Sequence, residues 1–290
     1  MLKHSVLDEE TLKAEIKAEK KKSKEEKKAA KHGSEKADKK RIFVLDFHGD
    51  IKASATNNLR QEITTLLSLA QPTDEVVVRL ESTGGMVHSY GLAASQLARI
   101  NSKQIPLTVC VDKVAASGGY MMACVAHKVL AAPFAVIGSI GVIAQLPNFH
   151  RVLKNNNIDY EMLTAGEYKR TLTIFGENTD KAREKFVEDL EDTHDLFKDF
   201  VTEYRPVVDI AKVATGEVWY GRRALNMKLV DELKTSDEYL TDQIETADIY
   251  QVEFRHKKTL PEKLGIAAQQ AVDRIVLTCW DRLQNTRWFT

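Results

Sequence analysis

Short apolar runs alternate with amphipathic stretches along most of the chain. RIFVLDFHG, opening at Arg41, is a continuous β-branched-rich run, the pattern of a strand buried on both faces. NNLRQEITTLLSLAQ follows with helical periodicity, Ser54 or Thr56 as its candidate N-cap and Pro72 as its stop. EVVVRLES reads as a second buried strand; it runs into Thr83-Gly84-Gly85, and a helix over VHSYGLAASQLARINS starts at about Val87. The order then repeats: LTVCVD as a strand, AASGGYMMACVA as a turn into a helix, HKVLAAP as a strand. Such alternation predicts an α/β fold of parallel strands with right-handed crossovers. In these sheets sites collect where loops leave the carboxyl ends of strands.

After Ile143 the pattern loosens. Residues 154–164 are expected to be a helix end leading into a strand. Residues 179–205 form a long, highly charged helical segment with an apolar stripe of Phe186, Val187, Leu190, Leu196, Phe197, Phe200 and Val201. That stripe is expected to pack on the body or on a neighbouring subunit. LGIAAQQAVDRIVLTCWDRLQ near the C-terminus reads as an amphipathic helix, for core or oligomer packing or for lying on a membrane surface. The apolar stretch VLAAPFAVIGSIGVIA is interrupted by Pro133, Gly138, Ser139 and Gly141 and falls short of the roughly 20 residues of a membrane span. It is expected to supply buried strands and turns. MLKHSV is too short for the apolar core of a secretory leader. As written the chain is expected to have no means of crossing a membrane, unless it is part of a longer precursor with an anchor upstream.

Composition refines this picture in one respect. The 290 residues carry 42 Lys+Arg and 42 Asp+Glu, but residues 1–41 hold 14 basic and 9 acidic side chains, so a head of net +5 precedes a body of net −5. The head has almost no large apolar residue after Ile16 and can bury little; it is expected to be disordered or a solvated helix. It reads either as a solubilising linker or as a juxtamembrane segment drawn to anionic lipid by about 1 kcal/mol per basic residue. Global neutrality argues against nucleic-acid binding through overall charge. The three cysteines, Cys110, Cys124 and Cys279, are too scattered for a disulfide framework or a zinc site, and Cys110 and Cys124 read as buried thiols. The sequence calls for no cofactor and no metal. The expected division is a charged N-terminal segment over 1–40, a catalytic domain over 41–255 and the amphipathic helix over 256–290.

Two loops could carry chemistry. Ser82-Thr83-Gly84-Gly85 follows a buried strand, and adjacent glycines free the backbone to present N–H groups to a cleft. Ala116-Ser117-Gly118-Gly119 also follows a strand and opens a helix. Ser117 there is either a plain helix N-cap or a nucleophile whose oxyanion nearby N–H groups can hold. A base could come from His48, His88, His127 or His150, none with an evident partner, or from a lysine. Burial lowers a lysine pKa from about 10.4 by up to 3–5 units and leaves a neutral amine able to accept a proton. Lys169, in Gly166-Glu167-Tyr168-Lys169 after an expected strand, is the candidate.

LESTGG, VAASGGYMMACVAHKV, IGSIGV and AGEYKR, in that order, resemble the signal peptide peptidase A family of serine proteases, and GEYKRTLT most resembles its SohB-like branch. The resemblance spans roughly residues 41–255, with Ser117 and Lys169 separated by 52 positions. It implies a ClpP/crotonase-like superhelix of repeated ββα units and peptide-bond hydrolysis by a Ser/Lys dyad. It implies Ser117 as nucleophile, Lys169 as base, Ser139 as the hydroxyl orienting the amine, and Gly85 and Gly118 as oxyanion donors. It further implies a peptide or polypeptide substrate, released signal peptides or other membrane-near chains, a homo-oligomeric ring or dome, and association with the inner membrane with the catalytic domain facing the periplasm or cell exterior. Thr83 stands where the family commonly has proline. Two other readings compete on the same fold: an acyl-CoA enzyme of the crotonase type, for which Glu81 and Glu167 are the convenient acids, and a catalytically silent scaffold.

Overall fold

The computed structural model describes residues 39–255. The expectations for the basic head and the C-terminal amphipathic helix lie outside the described residues. The chain divides into one unit ending at Val252 and a second beginning at Glu253, and the following concerns the first.

Nine strands share one mixed sheet, and its branching decides where the site lies. β1 (Lys40–Gly49) and β2 (Glu75–Ser82) run parallel, and β9 (Ala247–Gln251) pairs with β1. The other edge of β2 is divided between two strands. Residues 76–79 pair with β3 (Leu107–Val111), which continues through β5 (Lys128–Ala131) to β8 (Glu232–Leu233). Ser82, the last residue of β2, pairs instead with Ala115 of β4 (Val114–Ala116), which continues through β6 (Val136–Gly138) to β7 (Val218–Tyr220). The sheet thus forks at the carboxyl end of β2. Every pairing is parallel except β6 with β7.

The central strands are apolar on both faces, as their uninterrupted hydrophobic runs require. Phe43, Leu45, Phe47, Val76, Val78, Leu80, Val109 and Val111 join the main core with α1 (Thr56–Leu66), α2 (Val87–Asn101) and α3 (Gly118–Ala123). Ile42, Val44, Val77, Cys110 and Leu130 point the other way, into a smaller cluster under Tyr239 and Leu240 of α8 (Ser236–Gln243). Cys110 and Cys124 are buried free thiols, as expected.

Between these lie α4 (His150–Asn155), α5 (Asp180–Tyr204), α6 (Ile210–Val213) and α7 (Gly221–Asn226). Thr179 caps α5 by accepting the Ala182 N–H at 3.2 Å. Of the α5 stripe, Phe197 and Val201 enter the core, whereas Val187 and Leu196 stay 46% and 62% exposed. Arg205, just after α5, is buried; it donates to both carboxylate oxygens of Asp231, at 3.1 and 2.9 Å, and to Lys228 O at 2.9 Å. Asp231 also accepts the Val129 N–H at 2.7 Å, so one ion pair ties the end of α5 to β5.

Three local expectations are corrected. Neither Ser54 nor Thr56 caps α1: the cap position falls to Ala55, which has no side-chain acceptor, Ser54 lies one residue ahead of it, and Thr56 is already the first helical residue, its hydroxyl donating back to Ala53 O. α1 also stops at Leu66, ahead of Pro72, where Leu69 and Ala70 N–H groups both turn back onto Leu66 O. Residues 156–164 form no strand; all are exposed, without the ladder partner and covered face that a strand requires.

Candidate active site

The fork in the sheet sets the site. β2 ends at Ser82 and β4 at Ala116, side by side, so the loops that follow them emerge together. Ser117 takes the position before α3 with φ 51° and ψ −120°, a conformation that side-chain-bearing residues rarely adopt. Its N–H donates to Gly138 O at 2.7 Å and its carbonyl accepts the Met121 N–H at 3.0 Å. Its hydroxyl makes no capping bond to α3, so the plain N-cap reading does not describe it. Backbone held in such a region stores about 1–3 kcal/mol and requires the surroundings to over-determine it.

The surroundings do so by close packing against glycines. Gly84 has φ +87°, and a Cβ there would fall 2.6 Å from Gly118 N and 2.8 Å from Ser117 Cβ. A Cβ on Gly85 would lie 2.1 Å from Ile51 O, and one on Gly118 would lie 2.3 Å from the Tyr90 ring. The two glycine loops therefore touch each other, as no pair of larger residues would allow. Neighbouring N–H groups are committed: Gly84 to Ser82 Oγ at 3.1 Å, Met86 to Ile51 O at 2.8 Å. Those of Gly85 and Gly118 make no hydrogen bond among the described residues.

Gly85, Ser117 and Gly118 line one narrow cavity of about 10 Å³, walled by Val87, Met121 and Phe197. Room for roughly one water and mostly apolar walls suit a small side chain beside the hydroxyl. A larger cavity, about 300 Å³, lies elsewhere, and much of its charge is paired: Asp46 with Arg79 at 2.6 Å, Glu81 with Lys113 at 2.9 Å. The smaller one adjoins Ser117, with its strained backbone, and the unbonded N–H groups of Gly85 and Gly118.

Ser139 lies next to this constellation. It too has positive φ, 52°, follows Gly138 (φ +104°), and donates its N–H to Glu217 O at 2.6 Å. Gly138, whose carbonyl holds Ser117, is thus flanked by Ser139. Lys169 is not brought to the cavity; it sits exposed in the arm between β6 and α5. None of the four candidate histidines lines the cavity, and His127 Nδ1 is occupied by the Leu107 N–H at 3.1 Å. Glu81 and Glu167, the acids that an acyl-CoA enzyme would need, pair with Lys113 and Lys181 instead. Burial pushes the Cys110 thiol up to about 12 and raises that of Cys124 as well, so neither offers a thiolate at neutral pH. Sequence reasoning named Ser82 only as the start of the glycine loop and missed that it, Tyr90 and the Asp50 carbonyl brace that loop. The one signal was a polar residue closing an apolar strand just before Thr83-Gly84-Gly85.

Peptidase family S49 matches residues 99–249 and its N-terminal region matches residues 1–97. This chain belongs to peptidase family S49, a family of proteases. The probable protease SohB of Haemophilus influenzae is 53% identical over 282 residues, 95% of this chain and 80% of its own length. The probable protease SohB of Buchnera aphidicola from Acyrthosiphon pisum is 50% identical over 242 residues, 83% of this chain and 72% of its own. A looser likeness in structure, with a TM-score of 0.46 at 14% identity, extends to a membrane-bound stomatin-specific protease in complex with a substrate peptide, over 78% of this chain and 96% of that one. Among the described residues no helix is long and apolar enough to cross a membrane.

Proposed function

We propose that this S49 protease is a serine endopeptidase in which Ser117 attacks and Lys169 is the base. The observation that carries the reading is the convergence of a strained, uncapped Ser117 with the unbonded N–H groups of Gly85 and Gly118. Ser117 Oγ bonds to the scissile carbonyl carbon while its proton passes to a neutral Lys169 Nζ. The carbonyl oxygen becomes an oxyanion facing the Gly85 and Gly118 N–H groups. Collapse breaks the C–N bond as the leaving amine takes the proton from Lys169; water, deprotonated by the neutral Lys169 Nζ, then adds to the ester carbonyl, and the acid departs as Ser117 Oγ takes that proton back. Ser139 holds the direction of the amine.

The lysine arrives with its arm. In the single chain that arm exposes Ile143, Ile158 and Leu163, the last 95% exposed, a concentration of apolar surface that marks an unfilled contact. A homo-oligomer, as a ring or dome of copies, covers it and brings Lys169 out of water. The fold is then the repeated ββα superhelix shared with ClpP and crotonases. Substrates are extended polypeptides with a small side chain beside the cleaved bond, bound as an added strand. Signal peptides and other membrane-near chains fit that description. The basic head places the enzyme at anionic lipid, and the catalytic domain faces the periplasm or cell exterior.

The test is hydrolysis of a fluorogenic peptide of small apolar residues by the full chain. Ser117→Ala and Lys169→Ala each lose at least about 10⁴-fold in kcat while keeping the fold, and Ser139→Ala loses about tenfold. Substantial turnover by either of the first two variants refutes its assigned role. Mixing the two inactive variants restores activity if Lys169 serves a neighbouring copy, and leaves none if it serves its own chain.

A further inference from the structure

The steps above make no use of a buried hydroxyl pair directly under the site. Tyr90, on α2, has its ring fully buried, and its hydroxyl donates to Asp50 O at 2.7 Å. That contact uses its one proton. The 2.6 Å contact between Tyr90 and Ser82 is therefore donated by Ser82. Ser82 Oγ keeps its lone pairs free to accept the Gly84 N–H at 3.1 Å. Every hydrogen in the sequence Gly84 to Ser82 to Tyr90 to Asp50 is accounted for, and the chain joins the loop after β2, the start of α2 and the loop after β1.

The same tyrosine also touches the other glycine loop. Its ring floors Gly118, where a Cβ would come within 2.3 Å of it. Gly49 is pressed against the pair from β1, since a Cβ there would lie 2.4 Å from both Ser82 Oγ and Tyr90 Oη. One side chain thus holds the Gly84-Gly85 loop through its hydroxyl and supports Gly118 with its ring.

We propose that Ser82 and Tyr90 are positioning residues that set the distance between the two oxyanion donors, Gly85 and Gly118. Neither touches the substrate; both act through the loop N–H groups. The proposal rests on the reading of Ser117 as nucleophile.

Tyr90→Phe keeps the ring beneath Gly118 and removes only the hydroxyl; Ser82→Ala removes the acceptor for Gly84. Turnover is measured on the full chain and divided by the sites titrated at Ser117 with a fluorophosphonate probe, so that lost folding does not count as lost catalysis. Each variant is expected to fall at least about tenfold in kcat with KM within about twofold, because a donor displaced by a fraction of an ångström fails chiefly in the transition state. The double variant is expected to be no more than about twofold worse than the poorer single one, since the two hydroxyls form one device. A peptide aldehyde, which forms a tetrahedral adduct at serine, loses affinity in step with kcat/KM. Wild-type kcat per titrated site in Tyr90→Phe overturns the positioning role while leaving the nucleophile in place. A wild-type enzyme that takes no label at Ser117 overturns the reading beneath it, and the proposal with it.

Discussion

The serine side of the site and the arm that carries Lys169 are built in opposite ways. Ser117 stands where the sheet forks, on backbone forced to positive φ, wedged against Gly84 and above a buried tyrosine. Residues 151–170 carry almost wholly exposed side chains, and large apolar ones among them face solvent. The first half is fixed by the fold of one chain. The second half has the composition of a contact without its partner. Strain persists only where the core can impose it, which suits the proposed nucleophile to the rigid half. On the same proposal, a lysine base delivered by an arm would be withheld until the arm is covered, and an isolated subunit would not cut.

That contrast can be broken most severely at Gly85. Gly85→Ala puts a methyl against Ile51 O and must displace the loop; peptide turnover is expected to fall by about 10²–10³-fold, as for loss of an oxyanion donor, with the circular dichroism spectrum unchanged. Next in size is the anchor behind α5. Asp231→Ala leaves buried Arg205 without its counter-charge and is expected to cost about 3 kcal/mol in urea unfolding, whereas Leu163→Ala in the arm changes the stability of the single chain by less than about 0.5 kcal/mol.

The same anchor sets an acid limit. Burial alone would raise the Asp231 carboxyl, but the hydrogen bonds from Arg205 and Val129 outweigh it and hold the group below its ordinary value. Glu75 behaves alike: its burial is overcome by Lys40, Tyr239 and Thr108. A folded-state pKa below the unfolded one stabilises the native state above the unfolded value, and that contribution disappears as pH falls through the depressed one. Unfolding midpoints are therefore expected to be flat above about pH 5 and to drop below about pH 4, with a shallower drop in Asp231→Asn. The smallest effect concerns the strain itself. Ser117→Gly is expected to unfold about 1 kcal/mol later than Ser117→Ala, because glycine adopts positive φ without penalty and alanine does not. Equal stabilities would mean that the backbone at Ser117 is not under load.

The central strands β1, β2, β3 and β5 and their parallel sense were legible because these strands are buried on both faces and carry unbroken apolar runs. The fork was not: β4 is three residues long, VAA, and nothing in so short a run says that it takes over the edge of β2 from β3. Ser117, Gly85 and Gly118 were legible as loops after strands, and the structure gathers them around one cavity. Ser82 and Tyr90 were hidden, one as the last residue of a strand and the other as an aromatic on an amphipathic helix, since hydrogen bonding across loops leaves no periodicity. Within residues 154–164 the expected helix end is present, at Asn155, but the strand expected after it failed for a related reason. A sequence pattern states that a segment can pair, and pairing needs an edge that the single chain does not supply. The α5 stripe shows the same limit: of its seven residues Phe197 and Val201 are buried, Val187 and Leu196 face water, and the other three are half-buried.

The most direct test of the account is the rate at which a fluorophosphonate phosphonylates Ser117 in the full chain, with loss of fluoride, followed by mass spectrometry of the labelled peptide, in the wild type and in Lys169→Ala. The prediction is a single label on Ser117, formed at least about 100-fold more slowly without the lysine amine. Labelling of Lys169→Ala at the wild-type rate, or a label on any residue other than Ser117, would contradict it.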